Sequence, residues 1–337
     1  MVASEPTDLP SHWPVHLKTL SNELIMLDPQ AKALLQLMVD RGVPAVNTLP
    51  PKEARDFYIL RKALTQPDPP VMSHVHDHLP NLGGVQVPVR EYRPMGASAT
   101  EVLPALVYYH GGGWVIGNIE THDVLCRQLS NASGCAVFSV DYRLAPEHVF
   151  PAAFDDALAA FHWLVAQAAS LHIDPQRVAV GGDSAGGNLA AAVCLGARGG
   201  EHVPAFQLLI YPATLMYPDT PSYHANAEGY GLTAKAMHWF MDHYLPTREH
   251  GNDWRASPLK AASHAGLPPA LVLTAGYDPL KDEGYQYADT LSAAGGVAEY
   301  VCFERQIHGF ITMGRVMREA LSGVEVCAQA LRRYLSA

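Results

Sequence analysis

The stretch RVAVGGDSAGGNLAAAVCLGA, residues 177–197, divides into a short apolar run of β type, a glycine-flanked turn and an alanine-rich run with helical spacing. The turn is Gly182-Asp183-Ser184-Ala185-Gly186. It fits the pattern G-x-S-x-G, in which a strand delivers a serine into a sharp bend that opens a helix. Glycines on either side remove the Cβ atoms that would collide in such a bend, and the serine Oγ is then held exposed at the edge of a sheet. Residue frequencies alone produce the bare pattern in roughly one chain in ten of this size. Its weight therefore comes from the strand before it and the helix after it.

Outward from this turn the same alternation continues. Apolar runs of β type recur at ALVYYH (105–110), CAVFSVDY (135–142), FQLLIY (206–211), ALVLTAG (270–276) and VAEYVCF (297–303), and from Val85 the segment VQVPVREYRP alternates like a strand. Stretches with helical spacing lie between them, notably 155–168 and 184–197. Continuous apolar strands alternating with helices predict an α/β fold whose mostly parallel sheet is buried on both faces. Two segments stand outside the rhythm. Residues 31–41 and 52–64 form two helical patterns ahead of the first strand, separated by the proline-bearing stretch from Pro44 to Pro51. Residues 213 to about 260 are strand-poor and rich in aromatics (Tyr217, Tyr223, Tyr230, Trp239, Phe240, Tyr244, Trp254), an insertion placed to form a lid at the carboxyl edge of the sheet.

The chemistry is carried by residues at strand ends. His110-Gly111-Gly112-Gly113-Trp114 follows the run 105–109, and residues without side chains there let backbone N–H groups converge on a developing oxyanion. The expected donors are Gly112, Gly113 and Ala185, the residue after the serine, while Gly111 shapes the turn and His110 braces the loop. In a chain that places nucleophile, acid and histidine in that order, Asp278 is the acid that comes directly after a strong strand, in Tyr277-Asp278-Pro279-Leu280. Asp282, one helical turn later, is expected to serve the start of the next helix. The chain has 17 histidines, and the one beyond Asp278 is His308. The candidate catalytic set is therefore Ser184 as nucleophile, His308 as base and Asp278 as its orienting partner.

Composition excludes other classes. The 337 residues suffice for one large core with insertions, 48% of them are hydrophobic, and 17% are charged. A formal charge of −10 and the lack of any Lys/Arg run argue against a nucleic-acid partner. No stretch approaches the roughly 20 apolar residues of a membrane span, and MVASEPTDLP has no basic and apolar leader pattern. With neither pattern the chain reads as cytoplasmic, and Cys126, Cys135, Cys194, Cys302 and Cys327, scattered without C-x-x-C spacing, fit buried reduced thiols. His74, His76 and His78 would share one face of a strand, but no further ligand follows with clear spacing, and a polar edge strand explains them equally well. Neither a metal nor a nucleotide cofactor is expected.

HGGGW (110–114), DYRLAPE (141–147), GDSAGGN (182–188), YDPLKDEG (277–284) and HGF (308–310), in that order, resemble the hormone-sensitive-lipase-like bacterial esterases in their GDSAG subgroup. The resemblance runs from about residue 70 to the end. It implies an α/β-hydrolase fold with an eight-stranded sheet, a catalytic domain over 66–212 and 259–337, and a helical cap built from 1–65 and the insertion 213–258. It also implies hydrolysis of small esters with short to medium acyl chains, without a cofactor. Fold and triad do not fix the leaving group, so amide or lactone hydrolysis is the alternative inside catalysis. The gibberellin receptors of plants, which resemble the same family without its histidine, supply a non-catalytic alternative that His308 disfavours. DYRLAPE reads as structural. The run 297–303, last before the C-terminus and opposed only by Glu299, is a candidate edge for antiparallel pairing in a homodimer, as many members of this group resemble.

Overall fold

A computed structural model describes residues 26–336. Two helices, α1 (Pro29–Asp40) and α2 (Pro51–Thr65), precede the sheet. The Asp28 carboxylate caps α1 by accepting from the N–H groups of Gln30 and Ala31, and both helices carry a proline in their first turn, where a missing N–H costs nothing. The chain continues through β1 (His74–His78), a small hairpin of β2 (Asn81–Leu82) and β3 (Val85–Gln86), β4 (Val89–Arg93), β5 (Leu103–Tyr109), α3 (Ile119–Ser133), β6 (Ala136–Val140) and α4 (Ala152–Ala166). Then come β7 (Ile173–Asp183), α5 (Ala185–Ala197), β8 (Phe206–Ile210), α6 (Pro221–Ala225), α7 (Ala234–Tyr244), β9 (Ala270–Tyr277), α8 (Lys281–Ala293), β10 (Ala298–Ile307) and α9 (Glu319–Leu335).

The sheet has eight strands in the order β1-β4-β6-β5-β7-β8-β9-β10. From β6 to β10 all neighbours are parallel, while β4 runs antiparallel to β6 and β1 antiparallel to β4. Side chains alternate between two cores, as the strand period requires. Ala105, Val107, Tyr109, Val178, Val180 and Val272 point into the core covered by α4, α5 and α8. Leu106, Tyr108, Ala179, Leu208 and Leu271 point into the core covered by α3 and α9. This two-sided burial is why the strands read as unbroken apolar runs.

Three local features differ from the sequence reading. The alternating segment from Val85 breaks at Val87-Pro88 into β3 and β4, because proline offers no ladder N–H. Helix α3 carries no clear helical period in the sequence. Its buried face mixes Leu125, Cys126 and Leu129 with Thr121, His122, Asp123, Ser130 and Ser133, which blurs the apolar period. Its ends are nonetheless well marked, by a capping box between Asn118 and Thr121 and by Gly134 at φ 77°. Asp282 lies in the first turn of α8, yet its carboxylate accepts from Ser222 N at 2.7 Å and so braces α6 instead. The 25 N-terminal residues assigned to the cap lie outside the described residues. Among the described residues, no helix is long and apolar enough to cross a membrane.

Candidate active site

The turn between β7 and α5 puts Ser184 at φ 56°, ψ −116°, a backbone state that costs a non-glycine residue about 1–3 kcal/mol. The surroundings hold it there. Ser184 N donates to Ile210 O at 2.9 Å, and Ser184 O accepts from Asn188 N at 3.0 Å and Ala213 N at 3.2 Å. A Cβ on Gly182 or Gly186 would overlap the Tyr109 carbonyl, so both flanking positions demand glycine for close approach. Buried Asn188 adds a further tie, its amide donating to Ala213 O at 2.7 Å and Ala256 O at 2.8 Å.

β9 and β10 bring two further side chains to this turn. The register of β10 breaks between Phe303 and Ile307, and the following loop places His308 with Nε2 3.0 Å from Ser184 Oγ. Its Nδ1 lies 2.7 Å from Asp278 Oδ2. A carboxylate only accepts, so Nδ1 carries the proton and Nε2 is left to accept from the serine hydroxyl. Asp278 is fully buried, and its other oxygen accepts from Leu280 N at 2.9 Å. The Tyr211 ring lies 4.5 Å from the imidazole. Ser184, His308 and Asp278 thus stand in one hydrogen-bonded line, although 124 residues separate the serine from the histidine.

The loop after β5 is a tight turn with Gly112 at φ 126°, Gly113 at φ 57° and Trp114 at φ 60°. Each peptide in it is aimed by its own carbonyl. Gly111 O accepts from His110 Nδ1 at 2.8 Å, which turns the Gly112 N–H the opposite way across the planar peptide. Gly112 O accepts from Val115 N at 3.1 Å and Ile116 N at 2.9 Å, which turns the Gly113 N–H outward likewise. Among the described residues neither of these N–H groups, nor that of Ala185, donates to another group of the protein. His110 is itself buried under Tyr142, ring to ring at 4.3 Å, and burial lowers its imidazole to about 3. It therefore stays neutral, in a bracing position.

Asp183 links this loop to the serine turn. Its buried carboxylate accepts from Tyr108 Oη at 2.7 Å and Gly111 N at 2.9 Å, with His122 Nε2 at 3.2 Å. Burial pushes that carboxyl upward, but the His122 ring and the two donors outweigh it and hold the group below the usual range. The sequence offered Asp183 only as the second letter of its motif, and nothing near His122 signalled a partner. Glu283 was missed as well. It is fully buried in the first turn of α8, where Oε1 accepts from Thr214 N at 2.6 Å and Leu215 N at 3.2 Å, while Oε2 has no partner among the described residues. Burial pushes its carboxyl up to about 8 against the pull of those N–H groups, and the charge of Asp278 adds to the push.

DYRLAPE fastens the glycine turn. Tyr142 Oη donates to His110 O at 2.7 Å, and Ala145 N donates to Trp114 O at 2.9 Å. From the other side α7 closes on it, with the Phe240 ring where a Cβ on Gly113 would fall and Tyr244 stacked on Trp114 at 4.6 Å. The three histidines of β1 lie at the first edge of the sheet, in the strand farthest from β10, with His78 Nε2 2.9 Å from Glu91 Oε2.

The sequence matches the alpha/beta hydrolase fold family over residues 106–312. The carboxylic ester hydrolase LipN of Mycobacterium tuberculosis is 43% identical over 318 residues, covering 92% of this chain and 84% of that protein. The ethyl acetate hydrolase of Pseudomonas putida is 38% identical over 319 residues, covering 92% of this chain and 99% of that protein. Among solved structures, the ester hydrolase EH1AB1 from the metagenome of Lake Arreo, complexed with a derivative of bipyridine phosphonate, has a TM-score of 0.89 at 46% identity. That likeness covers 93% of this chain and 100% of the other.

Proposed function

Since the chain belongs to the hormone-sensitive-lipase-like esterases of the α/β-hydrolase fold and is a carboxylic ester hydrolase, we propose that it cleaves small esters of short to medium acyl chain by attack of Ser184. The observation that carries this reading is the line from Ser184 Oγ through His308 to buried Asp278, at 3.0 Å and 2.7 Å. His308 Nε2 takes the hydroxyl proton as Oγ bonds to the ester carbon, and Asp278 stabilises the imidazolium that forms. The carbonyl oxygen becomes an oxyanion held by the N–H groups of Gly112, Gly113 and Ala185. Collapse expels the alcohol, protonated by His308, and leaves an acyl-serine. Water attacks that ester with His308 again as base, releasing the acid and the free serine. The similarity to an ethyl acetate hydrolase supports the small-substrate end of the range.

Residues 1–65 and 213–258 are the proposed cap on a catalytic domain of 66–212 and 259–337. In support, α7 packs on the turn at Val46–Thr48, so the described parts of the two cap segments meet. A homodimer through β10 is proposed for its open edge. Val297 turns its carbonyl to Ala270 N at 2.9 Å, so by strand alternation Ala298, Tyr300 and Cys302 direct their backbone groups away from β9. A cytoplasmic location is proposed from five free cysteines, four of them buried.

The test is Ser184→Ala with a short p-nitrophenyl ester. Hydrolysis should vanish, together with labelling by a fluorophosphonate, while the far- and near-UV dichroism of the fold persists. Substantial residual turnover in a folded variant would overturn the assignment of the nucleophile.

A further inference from the structure

Helix α2 is hydrogen-bonded to the glycine turn through Arg55. Arg55 Nε donates to Val115 O at 2.8 Å, and Nη2 donates to Ala145 O at 2.8 Å. The guanidinium is held in that pose by Glu147, the last residue of DYRLAPE, at 2.9 Å and 2.6 Å. This forked pair, dominated by the hydrogen bond from Arg55, lowers the Glu147 carboxyl to about 2, so the carboxylate is present across the working range of pH. Val115 and Ala145 are both fully buried. Without the guanidinium their carbonyls would lose these charged donors at a half-buried place.

We infer that Arg55 is a positioning residue for the oxyanion donors, acting from the N-terminal segment on the turn that holds Gly112 and Gly113. The inference rests on the donor assignment made above. Its geometric chain is short. The Gly113 N–H and the Gly112 C=O belong to one planar peptide, and that carbonyl is aimed by the N–H groups of Val115 and Ile116. Arg55 fixes the Val115 carbonyl, which shares one planar peptide with that Ile116 N–H, and its second bond ties the same point to Ala145, whose N–H holds the Trp114 carbonyl. Val115 is thus gripped through both its own carbonyl and the neighbouring Ala145. The left-handed backbone at Gly113 and Trp114 makes the grip consequential, since a turn of that kind relaxes toward commoner conformations once a restraint is lost. Relaxation rotates the Gly112–Gly113 peptide and swings a donor off the oxyanion, which matters far more in the transition state than in the bound ester.

Arg55→Met keeps an unbranched, largely apolar stem and removes every donor. Its kcat on a short p-nitrophenyl ester should fall by about tenfold or more, with KM within about threefold of the parent. Affinity for an alkyl trifluoromethyl ketone, whose serine adduct carries the same oxyanion, should fall by the same factor as kcat. Arg55→Lys should recover part of the loss, and Glu147→Gln, which leaves the two carbonyl bonds in place, should lose less than Arg55→Met. Lys52→Met, on the same helix in an exposed pair with Asp56, serves as the surface control and should leave kcat unchanged. A folded Arg55→Met with kcat within twofold of the parent, or a loss lying wholly in KM, overturns the inference. Should Arg55→Met not fold, the Arg55→Lys and Glu147→Gln pair decides by the same split between kcat and KM. Failure of the underlying site reading would appear separately, as activity in Ser184→Ala.

Discussion

Glutamine in place of Glu283 should change the pH dependence of stability with a calculable sign and size. In the fold the Glu283 carboxyl is pushed up to about 8 by burial, while in the unfolded chain it titrates at its ordinary value of 4.5. Below pH 4.5 both states are protonated and the group contributes no slope. Between 4.5 and 8 the folded state keeps a proton that the unfolded state has released, so stability falls as pH rises, by about 1.4 kcal/mol per pH unit. The whole interval amounts to about 5 kcal/mol, a large share of the 5–15 kcal/mol that separates folded from unfolded domains. Above pH 8 both states are ionised and the loss is complete.

Glutamine carries no titrating proton and removes that slope. Its carbonyl can still accept from Thr214 N and Leu215 N, but its amide then occupies the place of Oε2, which has no partner among the described residues. The neutral acid leaves one O–H unpartnered there and the amide two N–H donors, and this one further unpaired donor costs about 1–3 kcal/mol at every pH. The two stability curves should therefore cross. At pH 5 the glutamine variant should be the less stable, and by pH 8 the more stable by about 2–4 kcal/mol. Equilibrium urea unfolding followed by tryptophan fluorescence at pH 5, 6, 7 and 8, at constant ionic strength, reads the difference directly, and titrations elsewhere cancel in it. A difference that stays constant over this range would mean that Glu283 is ionised in the fold, and the reasoning fails. Activity at pH 7 should remain within about threefold, because a neutral amide replaces a neutral acid.

Asp278→Asn should lower kcat by about 10⁴-fold, since an amide facing His308 Nδ1 favours the wrong tautomer. Asp282→Asn, which touches Ser222 and not the histidine, should cost less than about threefold, and the opposite ranking in steady-state kinetics would mean that the orienting acid is misassigned. For the proposed dimer, sedimentation equilibrium at micromolar concentration should give about twice 36.5 kDa for the parent and a lighter average for Tyr300→Pro, which removes an N–H directed away from β9. A parent that sediments as a single 36.5 kDa species would refute the dimer.

What could be read in the sequence was whatever the backbone itself requires. Gly182 and Gly186 admit no Cβ beside the Tyr109 carbonyl, and Gly112 and Gly113 sit at positive φ, so glycines at those spacings are visible in one dimension. Apolar strand runs were visible for a similar reason, since a sheet buried on both faces leaves no polar alternation. What could not be read were pairings between distant polar side chains. Arg55 lies 60 residues from Val115 and 92 from Glu147, and His122 lies 61 from Asp183. Neither period nor composition couples such positions. DYRLAPE shows the boundary clearly. It reads as structural from sequence, and only the fold shows that its Tyr142, Ala145 and Glu147 fasten the glycine turn directly or through Arg55.

Strain supplies the last step. Trp114, Ser184 and Tyr211 all have positive φ, and each such residue costs about 1–3 kcal/mol, so the three persist only where the surrounding contacts over-determine them. For Ser184 those contacts come from β8, α5 and the loop after β8, through Ile210, Asn188 and Ala213. For Trp114 they are shared with the proposed cap. Tyr244 of α7 stacks on its indole, and Arg55 of α2 holds the residue that follows it. A lid motion that carried α2 or α7 away from the catalytic domain would therefore release the turn that aims Gly112 and Gly113. On the proposed reading of Gly112 and Gly113 as oxyanion donors, substrate entry that preserves them would leave both helices in place, with any opening confined to the parts of the proposed cap that do not touch residues 110–117.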